Sequence, residues 1–293
     1  MRLLIIGCNS VLGQVVSLYC VQQGHDVDGL DSKRIYEYGF SHFYQLEINK
    51  NNSMEIYAVI KNSDYDAIIN CSALLIQDSN DTPDLARFIN SEFPHILEDM
   101  TKYTKTIVVH RSTDCIFSGK KGGYSLKDEP DGYSVYAKTK AAGELNNDKD
   151  ITIRTSLIGP DRNVVAPDLF GWFNNLRGDV KGFANSIWTG LTTIEYAKEA
   201  LFLIEKKAHG VFQCVPDKSI SKYELLVLFE KYFSRNRNII KVENERNDKS
   251  LLQEIGNYGL SIPSYEEQIK EMKEWIIKQY NSLGIYSQYM EEL

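Results

Sequence analysis

The 293-residue sequence lacks the features that mark disulfide-rich proteins and metal proteins. Its five cysteines are odd in number and scattered, mostly inside apolar runs, and none forms a CxxC pair. This pattern is typical of reduced core thiols and predicts a cytoplasmic protein. The five histidines show no metal-ligand spacing, so we expect no metal site.

Long apolar runs and clustered positive charge are also missing. No segment approaches the roughly 20 apolar residues of a membrane span, and the first apolar run, residues 3–6, is too short for a signal peptide. The formal charge is −7 and Lys and Arg are dispersed, whereas a phosphate-binding surface needs them clustered. We therefore expect no nucleic-acid or membrane partner. The 43% of hydrophobic residues is enough for a sizeable core.

A glycine-containing turn follows the first apolar run. Residues 2–6 suit a buried parallel strand, and residues 7–13 then open a helix that runs to about residue 23. Such a strand–turn–helix junction suits the pyrophosphate of a dinucleotide, because glycine lets the backbone approach and the helix start offers free N–H groups. Ser10 stands where the three-glycine fingerprint has its middle glycine, so the turn could equally be a plain tight connection.

An acidic residue follows the second predicted strand, residues 26–30. Asp31 lies eighteen residues beyond Gly13, where a carboxylate could bind the ribose hydroxyls of adenosine and favour NAD. Lys33 and Arg34 follow at once and could instead bind the 2′-phosphate of NADP. A charged surface turn would explain all three residues as well, so NAD(H) and NADP(H) both stay open.

Strands and helices continue to alternate as far as residue 156. This alternation predicts an α/β fold with a Rossmann-type, doubly wound parallel sheet. Beyond about residue 159 the alternation breaks, which predicts a smaller C-terminal α/β substrate-binding part. We expect residues 1–156, completed by about 186–210, to form the dinucleotide-binding domain, and residues 157–185 and 211–293 to form the substrate-binding part.

Tyr136 and Lys140 lie four residues apart in a predicted helix and so share one face. A nearby ammonium lowers the pKa of a phenol from about 10 and makes it a useful general acid. The spacing alone is weak, since Tyr57 and Lys61 form a second such pair. We interpret that second pair as packing plus a solvated lysine.

The chain resembles an extended short-chain dehydrogenase/reductase, most closely the dTDP-4-dehydrorhamnose reductase branch of sugar-nucleotide reductases. The matching stretches, in order, are residues 7–13, Asn-Cys-Ser-Ala at 70–73, Asn90 followed by Pro94, Ser-Thr-Asp-Cys-Ile-Phe-Ser-Gly at 112–119, residues 124–130, residues 136–144, Arg-Thr-Ser at 154–156, and Thr-Gly-Leu-Thr-Thr at 189–193.

By that resemblance Thr113, Tyr136 and Lys140 form a catalytic triad: Tyr136 donates the proton, and Lys140 holds the nicotinamide ribose and lowers the pKa of the phenol. The cofactor-binding residues implied are Gly7, Asn9, Ser10, Val11, Leu12, Gly13, Asp31, Glu47, Ile48, Cys71, Ser72, Ala73, Tyr136 and Lys140. The substrate contacts expected are Asp114, Trp172, Arg177 and Trp188, although aromatic residues are more often part of a core.

The resemblance implies NAD(P)H-dependent reduction of a nucleotide-linked 4-keto-6-deoxy sugar in the synthesis of a polysaccharide or glycoconjugate precursor. Related dehydratases have Thr-Asp-Glu at the positions of residues 113–115 and use the glutamate as a base. Here Cys115 takes the place of that glutamate, which argues against dehydration. A sugar-nucleotide epimerase and a non-catalytic, NAD(P)-binding regulatory subunit stay as alternatives. A homodimer is among the assemblies that the resemblance allows, and we transfer no divalent-cation site from relatives.

Overall fold

Seven parallel strands form the central sheet of this computed structural model, which describes residues 1–34, 38–162, 168–234 and 236–290. The strands in chain order are β1 Arg2–Ile6, β2 Asp26–Asp31, β3 His42–Gln45, β4 Ala67–Asn70, β5 Ile107–Arg111, β6 Ile151–Arg154, β7 Ser156–Ile158, β8 Val180–Phe183, β9 Ser186–Trp188, β10 Gly190–Thr192, β11 Gly210–Gln213, β12 Ile220–Ser221, β13 Ile239–Val242 and β14 Asn247–Asp248. The helices are α1 Val11–Gln22, α2 Ser53–Lys61, α3 Ile76–Asp81, α4 Pro83–Arg87, α5 Phe93–Thr101, α6 Val135–Ala142, α7 Leu169–Asn175, α8 Thr193–Glu205, α9 Lys222–Phe233 and α10 Tyr265–Leu283.

The central sheet has the order β11-β6-β5-β4-β1-β2-β3, and each neighbouring pair in it is parallel. Strands β2 and β3 lie in succession on one side of β1, and β4 lies on the other side of β1. The strand order therefore reverses between β1 and β4. In sheets of this kind ligands bind outside the carboxyl ends of the strands at such a reversal. The predicted doubly wound sheet is confirmed.

Alternating side chains of the strands pack into two hydrophobic clusters, one on each face of the sheet. Leu3 lies in the cluster that α1 and α8 cover, whereas its neighbour Leu4 lies in the cluster beneath α2 and α5. Val109 lies in the first of these clusters and Val108 in the second, because successive residues of a strand point to opposite faces. Burial of each such side chain contributes roughly 1.5–3 kcal/mol relative to exposure.

The helical segment between Pro83 and Thr101 is interrupted. A π-helical turn over Phe88–Glu92 separates α4 from α5. Pro94 has no N–H group to donate to the carbonyl oxygen of Asn90, four residues before it. That oxygen instead faces the end of α6, where a Cβ added to Gly143 would lie only 2.0 Å from it. The interruption therefore lets α6, which carries Tyr136, pack closely against this helix.

The C-terminal part contains three short sheets, formed by β7 with β10, by β8 with β13, and by β9 with β12 and β14. Helices α7, α9 and α10 pack around one hydrophobic cluster there. The predicted boundary at residue 211 is wrong for β11, which pairs with β6 as the seventh strand of the central sheet. Without β11 the outer side of β6 would expose unpaired backbone groups. Residues 163–167 of the predicted range 157–185 lie outside the described residues.

Candidate active site

The turn between β1 and α1 packs directly against the end of β4. Gly7 has a φ of +72°, and a Cβ added there would lie 2.9 Å from backbone atoms of Ser72. A Cβ added to Gly13 would lie 2.1 Å from the carbonyl oxygen of Gly7. Glycine is therefore required at Gly7 for its conformation and at Gly13 for space.

Ser10 takes the place of the middle glycine and caps α1. Its hydroxyl accepts a hydrogen bond from the N–H of Gly13 at 3.0 Å and donates to the carbonyl of Cys71 at 3.3 Å. The N–H groups of Val11 and Leu12 have no acceptor among the described residues and lie at the positive end of the helix dipole. This helix start can therefore receive an anion such as a pyrophosphate.

Asp31, at the end of β2, holds the glycine turn from the side. Its Oδ2 accepts a hydrogen bond from the N–H of Asn9 at 2.9 Å, and its Oδ1 accepts one from the N–H of Ser32 at 2.8 Å. The side-chain amide of Asn9 donates to the carbonyl of Lys33 at 2.7 Å. The carboxylate is thus kept beside the turn at the carboxyl edge of the sheet.

The other predicted cofactor contacts lie where β3 and β4 end. Cys71 and Ser72 are buried and Ala73 is half-buried, while Glu47 is exposed and Ile48 half-buried. They share one edge of the sheet with the glycine turn, because parallel strands end on the same side. The side chains after β4 are small, as a cofactor at the strand-order reversal would need, and their contacts with a dinucleotide stay a prediction.

Thr113 and Tyr136 come together at the end of β5. Thr113 precedes a 3₁₀ turn over Asp114–Ile116 and accepts a hydrogen bond from the N–H of Cys115 at 3.1 Å. Burial raises the pKa of the Tyr136 phenol, and the charge of Arg111 and a hydrogen bond with Thr113 act in the opposite direction. Thr113 therefore lies close enough to Tyr136 to affect its phenol.

Helix α6 presents Tyr136 and Lys140 on its buried face. The hydroxyl of Ser134 caps the helix by accepting a hydrogen bond from the N–H of Ala137 at 3.0 Å. Lys140 is fully buried; its Nζ donates to the carbonyl of Arg111 at 2.5 Å and lies 3.0 Å from Nε2 of His110. Burial and the charge of Arg111 hold the pKa of Lys140 well below its ordinary value.

The role expected for Lys140 stays a prediction. The sequence predicts that Lys140 lowers the pKa of Tyr136, and in the structure the positive charge that opposes the effect of burial on this phenol is that of Arg111. Lys140 is bonded to the backbone of β5, and its burial favours the neutral amine.

Sequence reasoning missed His110 and Arg111, which end β5. Both end an apolar strand and belong to no motif that would mark them as functional. The one sequence feature that could have identified them is their position directly before the matched Ser-Thr-Asp stretch. His110 is completely buried, and Arg111 is half-buried with no hydrogen bond or ion pair from its guanidinium to another residue that the structure describes. Both face Lys140.

The four predicted substrate contacts separate in the structure. Asp114 is buried next to Thr113, and burial raises its pKa while Lys249 opposes that shift. Trp188 is only 7% exposed and packs against Tyr265 with ring centroids 5.5 Å apart. That ring belongs to the core of the C-terminal part.

Trp172 and Arg177 are exposed instead, Trp172 on α7 with 44% of its surface accessible. Phe170 and Phe173, its neighbours on the same helix, are completely buried. The aromatic residues of α7 are therefore mostly core, and Trp172 is the one of these three rings that faces solvent. Substrate contact by any of the four residues stays a prediction.

Within the described ranges there is no group of three His, Cys, Asp or Glu side chains suited to a metal ion. No described helix is long and apolar enough to cross a membrane.

The model of one protein family, described as RmlD substrate binding domain, matches residues 1–165. In sequence, the chain is 30% identical over 143 residues to the probable low-salt glycan biosynthesis reductase Agl14 of Haloferax volcanii. That match spans 48% of this chain and 46% of the relative, or about half of each.

Solved structures resemble the fold over nearly the whole chain. A dTDP-4-dehydrorhamnose reductase from Clostridium acetobutylicum has a TM-score of 0.78 at 22% identity, over 94% of this chain and 100% of that one. A dTDP-4-dehydrorhamnose reductase from Bacillus anthracis, solved in complex with NADP, has a TM-score of 0.77 at 22% identity, over 92% of this chain and 98% of that one. At this identity the likeness establishes the fold.

Proposed function

The chain belongs to the RmlD substrate binding domain family, and on that premise we propose that it is an NAD(P)H-dependent reductase of a nucleotide-linked 4-keto-6-deoxy sugar. The observation that carries the proposal is that Thr113, just after β5, and Tyr136, on α6, lie close together at the edge where the glycine turn and β4 also end. The relative named as a glycan biosynthesis reductase supports the same class of reaction.

The residues at the carboxyl edge of the sheet fit a dinucleotide. The free N–H groups at the start of α1 suit its pyrophosphate, and the carboxylate of Asp31 suits ribose hydroxyls. Residues 71–73 have small side chains, which would let a dinucleotide lie against the end of β4. When bound in reduced form, this cofactor supplies the hydride that reduces the sugar ketone.

Thr113 and Tyr136 would act on the oxygen of that ketone. Negative charge grows on the carbonyl oxygen as its carbon is reduced, and the hydroxyl of Thr113 can stabilise the charge by donating a hydrogen bond. Tyr136 then gives its phenolic proton to the oxygen, which completes the alcohol. Because burial raises the pKa of this phenol, the group keeps its proton at neutral pH and serves as an acid. Lys140 would hold the nicotinamide ribose.

The free cysteines support a reducing, cytosolic setting, since four of the five are buried and none is paired. The substrate would be a nucleotide sugar that serves as a precursor of a polysaccharide or another glycoconjugate. A homodimer stays a prediction.

The direct test is to mix the purified chain with NADH or NADPH and a freshly generated dTDP-4-keto-6-deoxy sugar. We expect the absorbance of the reduced nicotinamide to fall as the alcohol forms. Interconversion of sugars without net loss of that absorbance would favour an epimerase. Tight cofactor binding with no reaction on any keto-sugar nucleotide would favour a regulatory subunit.

A further inference from the structure

A buried row of hydrogen-bonded side chains runs from α6 across β5 to the end of β4. Its members are Lys140, His110, Asn70 and Ser72, the first three completely buried and the last 7% exposed. Nζ of Lys140 lies 3.0 Å from Nε2 of His110, and Nδ1 of His110 lies 3.3 Å from Nδ2 of Asn70. In such a row each group must donate where its neighbour accepts, so the direction of the bonds can be worked out.

The end at Ser72 sets that direction. The backbone N–H of Ser72 can only donate, and it points to Oδ1 of Asn70 at 3.2 Å. The hydroxyl of Ser72 donates to the same oxygen at 2.5 Å. The amide oxygen of Asn70 therefore faces Ser72, and its NH₂ group must face His110.

His110 must then accept at Nδ1. A neutral imidazole with a bare Nδ1 carries its proton on Nε2, and this N–H points at Nζ of Lys140. An ammonium has no lone pair with which to accept that hydrogen, whereas a neutral amine has one and can still donate to the carbonyl of Arg111 at 2.5 Å.

The charges around the row act in the same direction. Nε2 of His110 and the backbone carbonyl of Arg111 contact Nζ of Lys140 from β5, Tyr136 lies one turn away on α6, and the charge of Glu144, just past α6, favours the charged amine. Burial and the charge of Arg111 lower the pKa of Lys140. Burial, Lys140, Arg111 and His95 of α5 lower that of His110, which keeps the imidazole neutral.

We propose that His110 is a positioning residue that holds Lys140 as a neutral amine in the cofactor-free chain, and that Lys140 takes up one proton from solvent when the dinucleotide binds. The inference rests on the proposed function. In the complex Lys140 gains ribose hydroxyls as acceptors and the field of two pyrophosphate charges, and both favour its ammonium form. The phenol of Tyr136 thereby gains a cationic neighbour only after the cofactor is in place.

Calorimetric titration of the whole chain with NADH and with NADPH tests this without turnover. The heats are compared in two buffers of different ionisation enthalpy at about pH 8, where the 2′-phosphate of NADPH is already ionised. We expect a net uptake of up to about one proton per chain. The Kd should rise with pH, by up to about tenfold per pH unit while the empty site holds the amine and the complex holds the ammonium.

A His110→Gln variant tests the role of the histidine. A glutamine can turn its carbonyl oxygen toward Nζ and accept from an ammonium, so the proton uptake should fall and the Kd should depend less on pH. The control is His209→Gln, the same change at an exposed histidine. It should keep the proton count of the unaltered chain.

Cofactor binding without proton uptake by the unaltered chain would overturn this inference and leave the proposed reductase intact, whatever the variant does. Proton uptake that His110→Gln leaves unchanged, in a variant that melts like the unaltered chain, would overturn the role of His110. If neither NADH nor NADPH binds, the inference and the proposed function both fail.

Discussion

Two groups of buried ionisable side chains lie beneath different helices of the fold and differ in how their polar atoms are satisfied. Lys140 and His110, between α6 and β5, are part of a continuous hydrogen-bonded row. Glu195 and Glu199, on α8, are 2% and 3% exposed, and Oε2 of Glu199 has no hydrogen-bond partner among the described residues.

The two groups also differ in what their burial can do. The row with Lys140 ends at the carboxyl edge of the sheet, where a ligand can change the charge of its members. Glu199 lies within α8, and burial together with Glu195 raises its pKa to about 9, so it stays protonated at neutral pH. Lys198 pairs with Glu195 at 2.5 Å and with Glu271 at 2.7 Å. We infer that the first group serves turnover and that the second affects only stability.

The largest effect should come from Tyr136→Phe. Removal of the phenolic proton donor should lower kcat roughly 10²-fold or more and leave cofactor binding nearly unchanged. The measurement is steady-state kinetics with cofactor binding in parallel. Tyr57→Phe, in the second Tyr/Lys pair of the chain, is the matched control and should keep full activity. An equal rate in Tyr136→Phe would refute the assigned role.

Lys140→Met should weaken binding of the reduced cofactor about 10- to 100-fold, because a charged hydrogen bond to the ribose would be lost. The same change should also lower kcat, since the phenol would lack a nearby ammonium in the complex. Fluorescence titration of NADH or NADPH measures the affinity. Unchanged affinity would separate Lys140 from the cofactor site.

Glu199→Gln should stabilise the chain without changing kcat. The folded chain keeps the proton on Glu199 up to a pKa of about 9, whereas the unfolded chain releases it near the ordinary value of 4.5. The unaltered protein therefore loses stability as the pH rises between these two values. The gain from glutamine should be absent near pH 4 and grow to as much as about 5 kcal/mol, or roughly 10 °C in Tm, at about pH 8.

Thermal melts across this pH range measure the Glu199→Gln effect. Glu205→Gln, at the exposed end of α8, is the control and should leave the curve unchanged. Parallel curves for Glu199→Gln and the unaltered chain would contradict the raised pKa. A fall in kcat for Glu199→Gln would show that the glutamates of α8 also affect turnover.

The smallest effect should come from Arg111→Gln. The charge of Arg111 lowers the pKa values of both Tyr136 and Lys140, so its removal raises both. We expect the alkaline limb of the kcat/KM profile to move to higher pH, by a fraction of a pH unit to about one unit. A shift toward lower pH would show that Arg111 acts through a different group.

The regular elements were predictable because local patterns determine them. Apolar runs of four to six residues gave the buried strands, and Ser134 and Ser221 cap their helices as short polar residues at helix starts do. Two features were missed for a tertiary reason. The π-helical turn over Phe88–Glu92 lies where α6 packs against this helix, and β11 joins the central sheet because β6 leaves an unpaired edge.

The amino-acid sequence by itself determined the order of strands and helices and the glycine turn, since these depend on neighbours within a few positions along the chain. The triad rests on the family resemblance and stays a prediction. Only the tertiary structure decided that Trp188 is core and that Lys140 bonds to His110 and Arg111, thirty and twenty-nine residues away in the chain. The protonation of a buried group depends on burial and on charges that folding brings together, and no local pattern specifies those distances.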